Sequence, residues 1–434
     1  MKIASQPLEM ERAELQQIPQ ERPEVLVAGA GPVGLMAALA LAEQGVQVQI
    51  LDQERRPAAR SYALALHPQS LRLLDETGLA GELLERAHRI ERLAFYEGMD
   101  RRAELDLTAL PAEFPFVAVL PQQILEGTLE SALKRRGVPV LWNHRLAELH
   151  LGGGGAAALV ERHGPAGAED GFDVRPEYLV GADGHRSIVR HALQASYVEM
   201  APAELFAVFE LMADGPTEAE ARVVFSGEKT GVLWPLGGRR YRWSLQVDEW
   251  EGFEEPRFKS RLYPEVGDEP FPYLVRDKLS ELLAELAPWF EAELGEIVWS
   301  MAVRFERRLA GRFGHGKAWL AGDAAHLTSP VGAQSMNVGI REAYDLARRL
   351  GFILREDYPP DLLETYDAQH RHEWRQLLGA WGRPEPGPST DPWVRKHAAR
   401  ILPCIPGSGD DLILLLRQLG LVLPVDHHPA HPRD

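Results

Sequence analysis

The stretch from Glu24 to Asp52 constrains the fold most, because it joins two apolar runs through a glycine-rich turn and a helix-forming segment. Residues 25–27 are predicted to form a buried strand. The chain then turns through the sequence GAGPVG, residues 29–34, into a run rich in Leu and Ala that favours a helix. A second apolar run ends at Asp52. The order of strand, turn, helix and strand is that of a dinucleotide-binding unit.

Each glycine of this turn, and the aspartate that ends the second apolar run, has a predicted role. Gly29 permits the tight turn, Gly31 lets backbone amides approach a pyrophosphate, and Gly34 packs the helix against the strand. The phosphates then lie at the helix N-terminus, where unpaired N–H groups favour an anion. Asp52 is placed to accept hydrogen bonds from ribose hydroxyls. FAD and NAD sites share these features, and a glycine-rich loop without a ligand is the alternative.

Composition narrows the class of protein. A chain of 434 residues is expected to form two or three domains. Its net charge of −17 argues against a nucleic-acid partner and against an anionic membrane surface. The one cysteine, Cys404, argues against an internal disulfide and a cysteine-rich metal site, which suits a reducing cytoplasm. Residues 1–22 lack the apolar core of a signal peptide, and no apolar run is long enough to span a bilayer. We therefore expect a cytoplasmic protein without a metal site.

Two further stretches contain candidate ligand-binding residues. In YLVGADGHRSIV, residues 178–189, a strand ends beside Asp183 and Gly184, with arginines behind it. This pattern fits close approach to a polar ligand, or a tight turn with solvated arginines. Arg60 belongs to a basic loop that either is solvated or faces the phosphates of a cofactor. Gln122, at the start of a predicted helix, is expected to be a capping or loop residue.

A third stretch, residues 318–350, reads AWLAGDAAHLTSPVGAQSMNVGIREAYDLARRL. A strand runs into Gly322 and Asp323, and a loop with Pro330 precedes a long amphipathic helix. A strand end beside a helix N-terminus can place backbone amides against a polarised ring. His326 is predicted to pack or hydrogen-bond within this loop rather than to shuttle protons.

The remainder of the chain suggests an inserted sheet and a helical tail. Residues 196–300 alternate in the manner of strands and are rich in aromatic residues, which we expect in the core. After a proline-rich segment, residues 411–425 are predicted to form a leucine-rich helix that caps the domain interface or makes a homodimer contact. The predicted division is an N-terminal extension (1–22), three parts of a cofactor domain (23–91, 121–195, 301–382), two parts of a substrate domain (92–120, 196–300) and a tail (383–434).

Together, GAGPVG, GADG and AGDAAH followed by P.G and MN resemble, in this order, the class A flavoprotein monooxygenases of the para-hydroxybenzoate hydroxylase type. The resemblance covers roughly residues 23–380. It implies an α/β fold with a Rossmann-like FAD-binding domain, an inserted β-sheet substrate domain and a C-terminal helical segment. By this resemblance, Pro330 and, more loosely, Arg242 are catalytic. The implied FAD-binding residues are Gly29, Gly31, Pro32, Val33, Gly34, Asp52, Arg60, Gln122, Asp183, Gly184, Gly322, Asp323, Pro330, Gly332, Ala333, Met336 and Asn337.

The resemblance also implies a reaction. NADPH or NADH, as a transient reductant, reduces FAD; O2 then adds at the flavin C4a, and the hydroperoxide transfers an oxygen to a small aromatic or conjugated substrate. The alternatives are a reductase or halogenase of the same fold, or a non-catalytic flavin-binding protein. Two departures from the family bear on this. Asp52 replaces the commoner Glu, and Ala333 and Ser335 stand where glycines are common, which predicts restricted movement of the flavin.

Overall fold

The computed structural model describes residues 19–55, 63–153, 155–164, 167–215, 219–248, 274–380 and 382–424. Within these ranges, helices and strands both occur along most of the chain. The helices are α1 (Pro32–Glu43), α2 (Pro68–Glu76), α3 (Ala80–Leu84), α4 (Gln122–Arg135), α5 (Ile188–Ala192), α6 (Arg276–Leu286), α7 (Gln334–Arg355), α8 (Leu362–Leu377), α9 (Pro392–Ile401) and α10 (Gly409–Gln418). The strands are β1 (Val25–Ala28), β2 (Val48–Leu51), β3 (Ala63–Leu66), β4 (His88–Ile90), β5 (Arg92–Glu97), β6 (Asp100–Asp106), β7 (Val117–Pro121), β8 (Val140–Leu141), β9 (His144–Gly152), β10 (Gly155–Gly164), β11 (Gly167–Val174), β12 (Tyr178–Gly181), β13 (Tyr197–Ala213), β14 (Glu220–Ser226), β15 (Lys229–Gly237), β16 (Arg240–Val247), β17 (Leu294–Ala310), β18 (Gly314–His315), β19 (Ala318–Leu320), β20 (His326–Leu327), β21 (Glu385–Pro386) and β22 (Leu421–Val422).

The first sheet is largely parallel, and the glycine-rich turn of residues 29–34 follows its strand β1. Its order in the described part of the chain is β18-β19-β12-β1-β2-β8, with β1 paired in parallel to both β12 and β2. Strands β1, β2 and β12 are buried along their whole length, which explains their uninterrupted apolar sequences. The carboxyl ends of β1, β12 and β19 meet at one edge, where an open α/β sheet binds its ligands.

The second sheet is larger and mostly antiparallel. Among the described strands its order is β20-β17-β13-β16-β15-β14-β5-β6. Successive side chains of β13 alternate between its faces: Phe206 joins the main core, whereas Phe209 joins a separate core with Trp243 and helix α6. One face of this sheet is therefore turned towards the first sheet, and the other is covered by α6.

The α/β fold class predicted from the sequence is confirmed. Strands β5 and β6 lie in the large sheet, but β7, within the predicted 92–120 segment, pairs instead with β3 and β4. Strand β17 carries the large sheet past residue 300 to Ala310, because its pairing with β13 runs the length of both strands. The division into domains itself stays a prediction.

The predicted helix over residues 411–425 is wrong at its C-terminal end. Helix α10 ends at Gln418, because Gly420 adopts a φ of +72° and β22 then pairs with β21. The leucines Leu412, Leu415 and Leu416 are buried within the chain, as a capping helix requires. In the described part of the chain, no helix is both long and apolar enough to cross a membrane.

Candidate cofactor site and adjoining cavity

Two glycines of the first turn are fixed by packing, and the third faces open space. A Cβ on Gly29, where φ is +102°, would lie 2.2 Å from the Ala182 carbonyl oxygen. A Cβ on Gly34 would lie 1.9 Å from the Gly29 carbonyl oxygen. At Gly31, no described atom lies within 4 Å of that position. Helix α1 begins directly afterwards at Pro32, without an acidic residue in its first turn. The N-terminus of α1 is therefore accessible to an anionic ligand.

Asp52 holds the glycine turn to the end of β2. Its Oδ2 accepts a hydrogen bond from the Ala30 amide at 2.6 Å, and its Oδ1 accepts one from the Glu54 amide at 2.9 Å. Burial raises the pKa of Asp52. Each carboxylate oxygen retains acceptor capacity beyond these single bonds, so Asp52 can both fix the turn and receive a hydroxyl.

Gln122, at the start of α4, contacts a buried carboxyl group that sequence reasoning missed. Its Nε2 donates to Glu126 Oε1 at 2.7 Å, and Glu126 is only 5% exposed. Burial, with smaller effects from the neighbouring carboxylates Asp52 and Glu130, raises the pKa of Glu126 to about 7. Glu126 directly follows Leu125, which lies on the apolar face of the helix. A charged residue beside that face was the signal in the sequence for a buried carboxyl group.

We expect replacement of Glu126 by glutamine to remove a pH-dependent loss of stability. Unfolded glutamate ionises near 4.5 and folded Glu126 near 7, so the folded state binds more protons between these values. Stability therefore falls as pH rises through this window, by about 3 kcal/mol. Glu126→Gln should match the wild type near pH 4.5 and exceed its free energy of unfolding at pH 8, as measured by urea denaturation. Exposed Glu85→Gln is the control; equal pH slopes in all three proteins would contradict the expectation.

Asp183 and Gly184 connect the second motif to the third. Asp183 Oδ2 accepts from the Ile188 and Val189 amides at 2.7 and 3.3 Å, and burial raises the pKa of this carboxyl group. Its Oδ1 is buried and has no hydrogen-bond partner in the described part of the chain. Arg190 donates to the Ala324 carbonyl oxygen at 2.8 Å, so the turn is anchored to the neighbouring loop. The sequence also allowed a tight turn with solvated arginines; for Arg190 that alternative is wrong, because its guanidinium is held by this hydrogen bond.

Residues from both ends of the chain meet around Val33. A Cβ on Gly322 would lie 3.0 Å from the Val33 side chain, and one on Gly339 would lie 2.9 Å from it. The third motif therefore packs directly against the first helix. Glycine is required at Gly322 also because φ there is +62°.

A buried carboxylate, Glu342, supports the Gly322–Asp323 turn from behind. It accepts hydrogen bonds from the Gly322 amide at 3.1 Å, from His326 Nε2 at 2.7 Å and from Trp374 Nε1. Although burial acts to raise the pKa of Glu342, the adjacent His326 lowers it overall. His326 also stacks on Trp374 at a centroid distance of 3.7 Å. His326 thus packs and hydrogen-bonds in the loop, as predicted.

The 328–333 loop and the start of α7 are held in one conformation. Ser335 Oγ donates to Asp323 Oδ1 at 2.9 Å, so a serine where glycines are common ties the two motifs together. Ala333 has a φ of +52°, which disfavours residues other than glycine. A Cβ on Gly332 would lie 2.5 Å from the Pro403 carbonyl oxygen, so the tail packs directly on this loop. Pro330 and Met336 are half-buried beside it.

Asn337 and the unpredicted His67 clamp the same loop. Asn337 Oδ1 accepts from the His67 amide at 2.8 Å, and its Nδ2 donates to the carbonyl oxygens of Ala65 and Ala333, both at 2.7 Å. Burial lowers the pKa of His67 to about 3, so the ring is neutral and Nε2–H donates to the Gly332 carbonyl oxygen at 2.9 Å. No spacing in the sequence indicates this contact.

A cavity of about 190 Å³ adjoins the 328–333 loop. Its walls come from three parts of the chain: the large sheet supplies Glu204, Phe206 and Arg307, the loop supplies Ser329 and Val331, and the tail supplies Arg400 and Cys404. Burial raises the pKa of the Cys404 thiol to about 12, so Cys404 contributes an uncharged wall.

Arg242, the predicted active-site arginine, is not among the residues that line this cavity. It lies on β16, with its Nε 3.6 Å from Glu210 Oε1 and its guanidinium 5.3 Å from the centre of the Trp299 ring. The described residues that line the cavity include two arginines, Arg307 and Arg400, neither of which the sequence motifs indicated. Arg60 lies outside the described residues. Within them, no cluster of His, Cys, Asp and Glu could hold a metal ion.

A model of the FAD binding domain family matches residues 22–379. The chain is 30% identical over 362 residues to 6-methylpretetramide 4-monooxygenase of Streptomyces rimosus, covering 82% of this chain and 61% of that protein. It is 28% identical over 365 residues to pentachlorophenol 4-monooxygenase of Sphingobium chlorophenolicum, covering 82% and 63%. The crystal structure of p-nitrophenol 4-monooxygenase from Pseudomonas putida DLL-E4 has the same fold, with a TM-score of 0.69 and 23% identity over 92% of this chain and 97% of that one. The chain spans about three fifths of the length of these two curated relatives.

Proposed function

The chain belongs to the FAD binding domain family, and we propose that it is an FAD-dependent monooxygenase. In this proposal it consumes NADPH or NADH and O2 and hydroxylates a small aromatic or conjugated substrate. The observation that carries the proposal is the position of the cavity at the 328–333 loop. The accessible N-terminus of α1 belongs to the same packed unit as the third motif, because Val33 packs against Gly322 and Gly339. An extended dinucleotide between them would bring its ring to the cavity.

The residues present fit FAD. Gly31 leaves room at a helix N-terminus for a pyrophosphate, and Asp52 offers acceptors for a ribose. Asp183 is buried and holds the turn after β12 by accepting hydrogen bonds from the Ile188 and Val189 amides. When bound, FAD supplies hydride acceptance from a nicotinamide and activation of O2.

The chain's own residues orient the ring and exclude water. Glu342, His326 and Ser335 hold Gly322 and Asp323, while His67 and Asn337 hold the 328–333 loop. Pro330 is proposed to lie against the ring. The tail closes the opposite side of the loop through the Pro403 backbone. Exclusion of water from the ring would protect reactive oxygen species from side reactions. Such protection is what a hydroxylase requires and a simple carrier does not.

The proposal is tested by stopped-flow measurement of the purified, FAD-loaded protein. We expect NADPH or NADH to bleach the flavin without O2, a substrate from an aromatic panel to accelerate that bleaching, and an oxygenated product to form once O2 is admitted. Mass spectrometry with 18O2 checks the origin of the added oxygen. Protein that takes up no FAD, or bound flavin that neither nucleotide reduces, would overturn the proposal. Reduction without oxygenation of any compound would favour the reductase or carrier alternatives.

We further propose a cytoplasmic location, supported by the demand for a nicotinamide pool and by the reduced, buried Cys404. We also propose that the protein forms a homodimer. Fractionation of cells and light scattering of the purified protein test these two points.

A further inference from the structure

The tail folds into one unit that contacts both the large sheet and the 328–333 loop. Residues 385–422, called the tail unit below, begin and end in strands β21 and β22, which pair with each other. Thr390 Oγ1 donates to the Gly420 carbonyl oxygen at 2.6 Å and ties the two ends together a second time. Between these ends, helices α9 and α10 bury most of their apolar side chains. The tail unit is therefore held together by its own contacts as well as by its docking on the rest of the chain.

Arg400, in the last turn of α9, anchors the tail unit to the large sheet. Its Nη1 donates to the Gly227 carbonyl oxygen at 2.6 Å, and its Nη2 donates to the Lys229 carbonyl oxygen at 2.7 Å and to Thr230 Oγ1 at 3.2 Å. Its guanidinium also lies over the Phe225 ring, 4.3 Å from the ring centre. All of these partners belong to the hairpin of β14 and β15. Hydrogen bonds from a charged donor are stronger than neutral ones, so this contact fixes the end of α9 on the hairpin.

Gln334, the first residue of α7, anchors the tail unit to the 328–333 loop. It is only 1% exposed, and its Nε2 donates to the Leu402 carbonyl oxygen at 3.3 Å and to the Ile405 carbonyl oxygen at 3.2 Å. Both protons of the amide nitrogen are therefore used on one turn of the tail unit. Gly332 packs on the same turn, since a Cβ there would lie 3.0 Å from the Ile405 carbonyl oxygen. The loop thus has no room to move closer to the tail unit, and two hydrogen bonds oppose its movement away.

A short helical segment joins the two anchors. Arg400 ends its helix just before a 3₁₀ turn at residues 402–404. Within this segment, Cys404 Sγ donates to the Arg400 carbonyl oxygen at 3.1 Å. The cavity of about 190 Å³ is lined by the large sheet, the loop and this segment. The separation of the sheet from the loop, and with it the width of the cavity, therefore follows from the position of residues 400–405.

We propose that Arg400 and Gln334 are positioning residues that fix the 328–333 loop relative to the large sheet through the tail unit. The inference rests on the proposed function where it takes this loop to lie against the FAD ring. It gives the tail unit a role in orienting the ring in addition to its role in packing. Loss of either anchor frees the loop on one side, widens the cavity and leaves the ring in more than one orientation.

Chemical labelling of Cys404 measures whether the anchors hold. Cys404 is the one cysteine of the chain, lines the cavity and is 1% exposed. The probe is N-ethylmaleimide, followed by mass spectrometry, on FAD-free and on FAD-loaded protein. We expect Arg400→Met and Gln334→Met each to raise the labelling rate by about 10- to 100-fold, because losing hydrogen bonds of this kind raises the open population by about that factor. An unchanged rate in both variants would overturn the inference.

Arg355 provides the control for a general loss of stability. It lies at the opposite end of α7 and donates to Glu24 and to the Gly45 carbonyl oxygen, so its replacement also removes charged hydrogen bonds. Arg355→Met should leave the Cys404 labelling rate within about twofold of the wild-type rate, since distant sites act independently. Arg400→Lys keeps a charged donor for the hairpin carbonyl oxygens and should restore most of the protection. Equal acceleration in Arg355→Met and Arg400→Met would show exposure by general unfolding and would contradict the inference.

The circular dichroism of bound FAD at visible wavelengths tests the link from the loop to the ring, because this signal depends on the groups that surround the ring. We expect a changed spectrum in Arg400→Met and Gln334→Met, the wild-type spectrum in Arg355→Met, and recovery in Arg400→Lys. Faster labelling with an unchanged flavin spectrum would mean that the anchors hold the tail unit without orienting the ring. That result would refute the positioning role.

Failure of this inference and failure of the proposed function give different results. Labelling of the FAD-free protein requires neither flavin nor turnover, so it reports on the anchors even if no product forms. A protein that hydroxylates aromatic compounds but keeps the wild-type labelling rate in both anchor variants would keep the proposed function and lose the inference. A protein whose flavin spectrum depends on the anchors but whose flavin is never reduced by nicotinamides would lose the proposed function and keep the positioning role.

Discussion

Replacing Glu342 by alanine is expected to lower the free energy of unfolding by about 3–5 kcal/mol, because removing one partner of a buried charged network leaves the others without compensation. The carboxylate is fully buried and receives hydrogen bonds from the Gly322 amide, His326 and Trp374. Chemical denaturation of the FAD-free protein measures the change. Glu364→Ala, at an exposed position of α8, is the matched control and should change stability by less than about 0.5 kcal/mol. A loss below about 1 kcal/mol for Glu342→Ala would contradict this account.

Glu342 should also make the stability of the folded protein sensitive to acid. The pKa of Glu342 is lowered in the folded protein from an ordinary value of 4.5, despite the opposing effect of burial, chiefly by His326. Its contribution to stability is therefore complete above 4.5 and is lost as pH falls below that value through the folded pKa. The wild type should lose more stability than Glu342→Ala between pH 5 and pH 3. Parallel acid-denaturation curves for the two proteins would refute this.

The second large effect is expected at Gly31, where a valine should abolish tight FAD binding without unfolding the protein. Its Cβ would enter space free of described protein atoms, so the fold tolerates it. The side chain would occupy the approach to the α1 amides and remove one or two charge-assisted hydrogen bonds, which lowers FAD affinity by about 10- to 1000-fold. Isothermal titration with FAD, with unfolding of the FAD-free protein measured in parallel, separates affinity from stability.

Gly34→Val is the matched comparison three residues along the same turn. Its Cβ would lie 1.9 Å from the Gly29 carbonyl oxygen, so the backbone itself must move. This variant should lose stability whether or not FAD is present, unlike Gly31→Val. If both variants lost stability equally, or if Gly31→Val bound FAD normally, the ligand role given to Gly31 would be wrong.

Several predictions from the sequence required only local information. The glycine turn, helix α1 and strands β1 and β2 follow from spacing and apolar periodicity, and the structure has them where they were predicted. The amphipathic helix α7 follows from its 3.6-residue period in the same way. The FAD family membership follows from three motifs in a fixed order. These features depend on contacts between residues close in the chain, or on short stretches with few alternative explanations.

The supporting residues could not be predicted, because their roles arise from contacts between distant residues. From the sequence, Glu342 is one of several charged residues on a predicted helix. Its hydrogen bonds to Gly322 and Trp374 are visible only in the folded structure. His67, between β3 and α2, reaches the carbonyl oxygen of Gly332 in a loop far along the chain. Neither contact leaves a signal in local spacing. The roles proposed for the other cofactor-site residues stay predictions until FAD binding is measured.

The sequence by itself therefore determined the glycine-rich turn of residues 29–34, the fold class and the family. Backbone conformation and periodic burial depend on residues that are close together in the chain. Only the tertiary structure decided which side chains face the cavity. Strand pairing brings Arg307 and Glu204 to the 328–333 loop, whereas Arg242 lies farther along the same face of the sheet, against Glu210 and Trp299, and its catalytic role stays a prediction. Side chains separated by a hundred residues converge there only because β13 and β17 pair along their length, and that register is a property of the whole sheet.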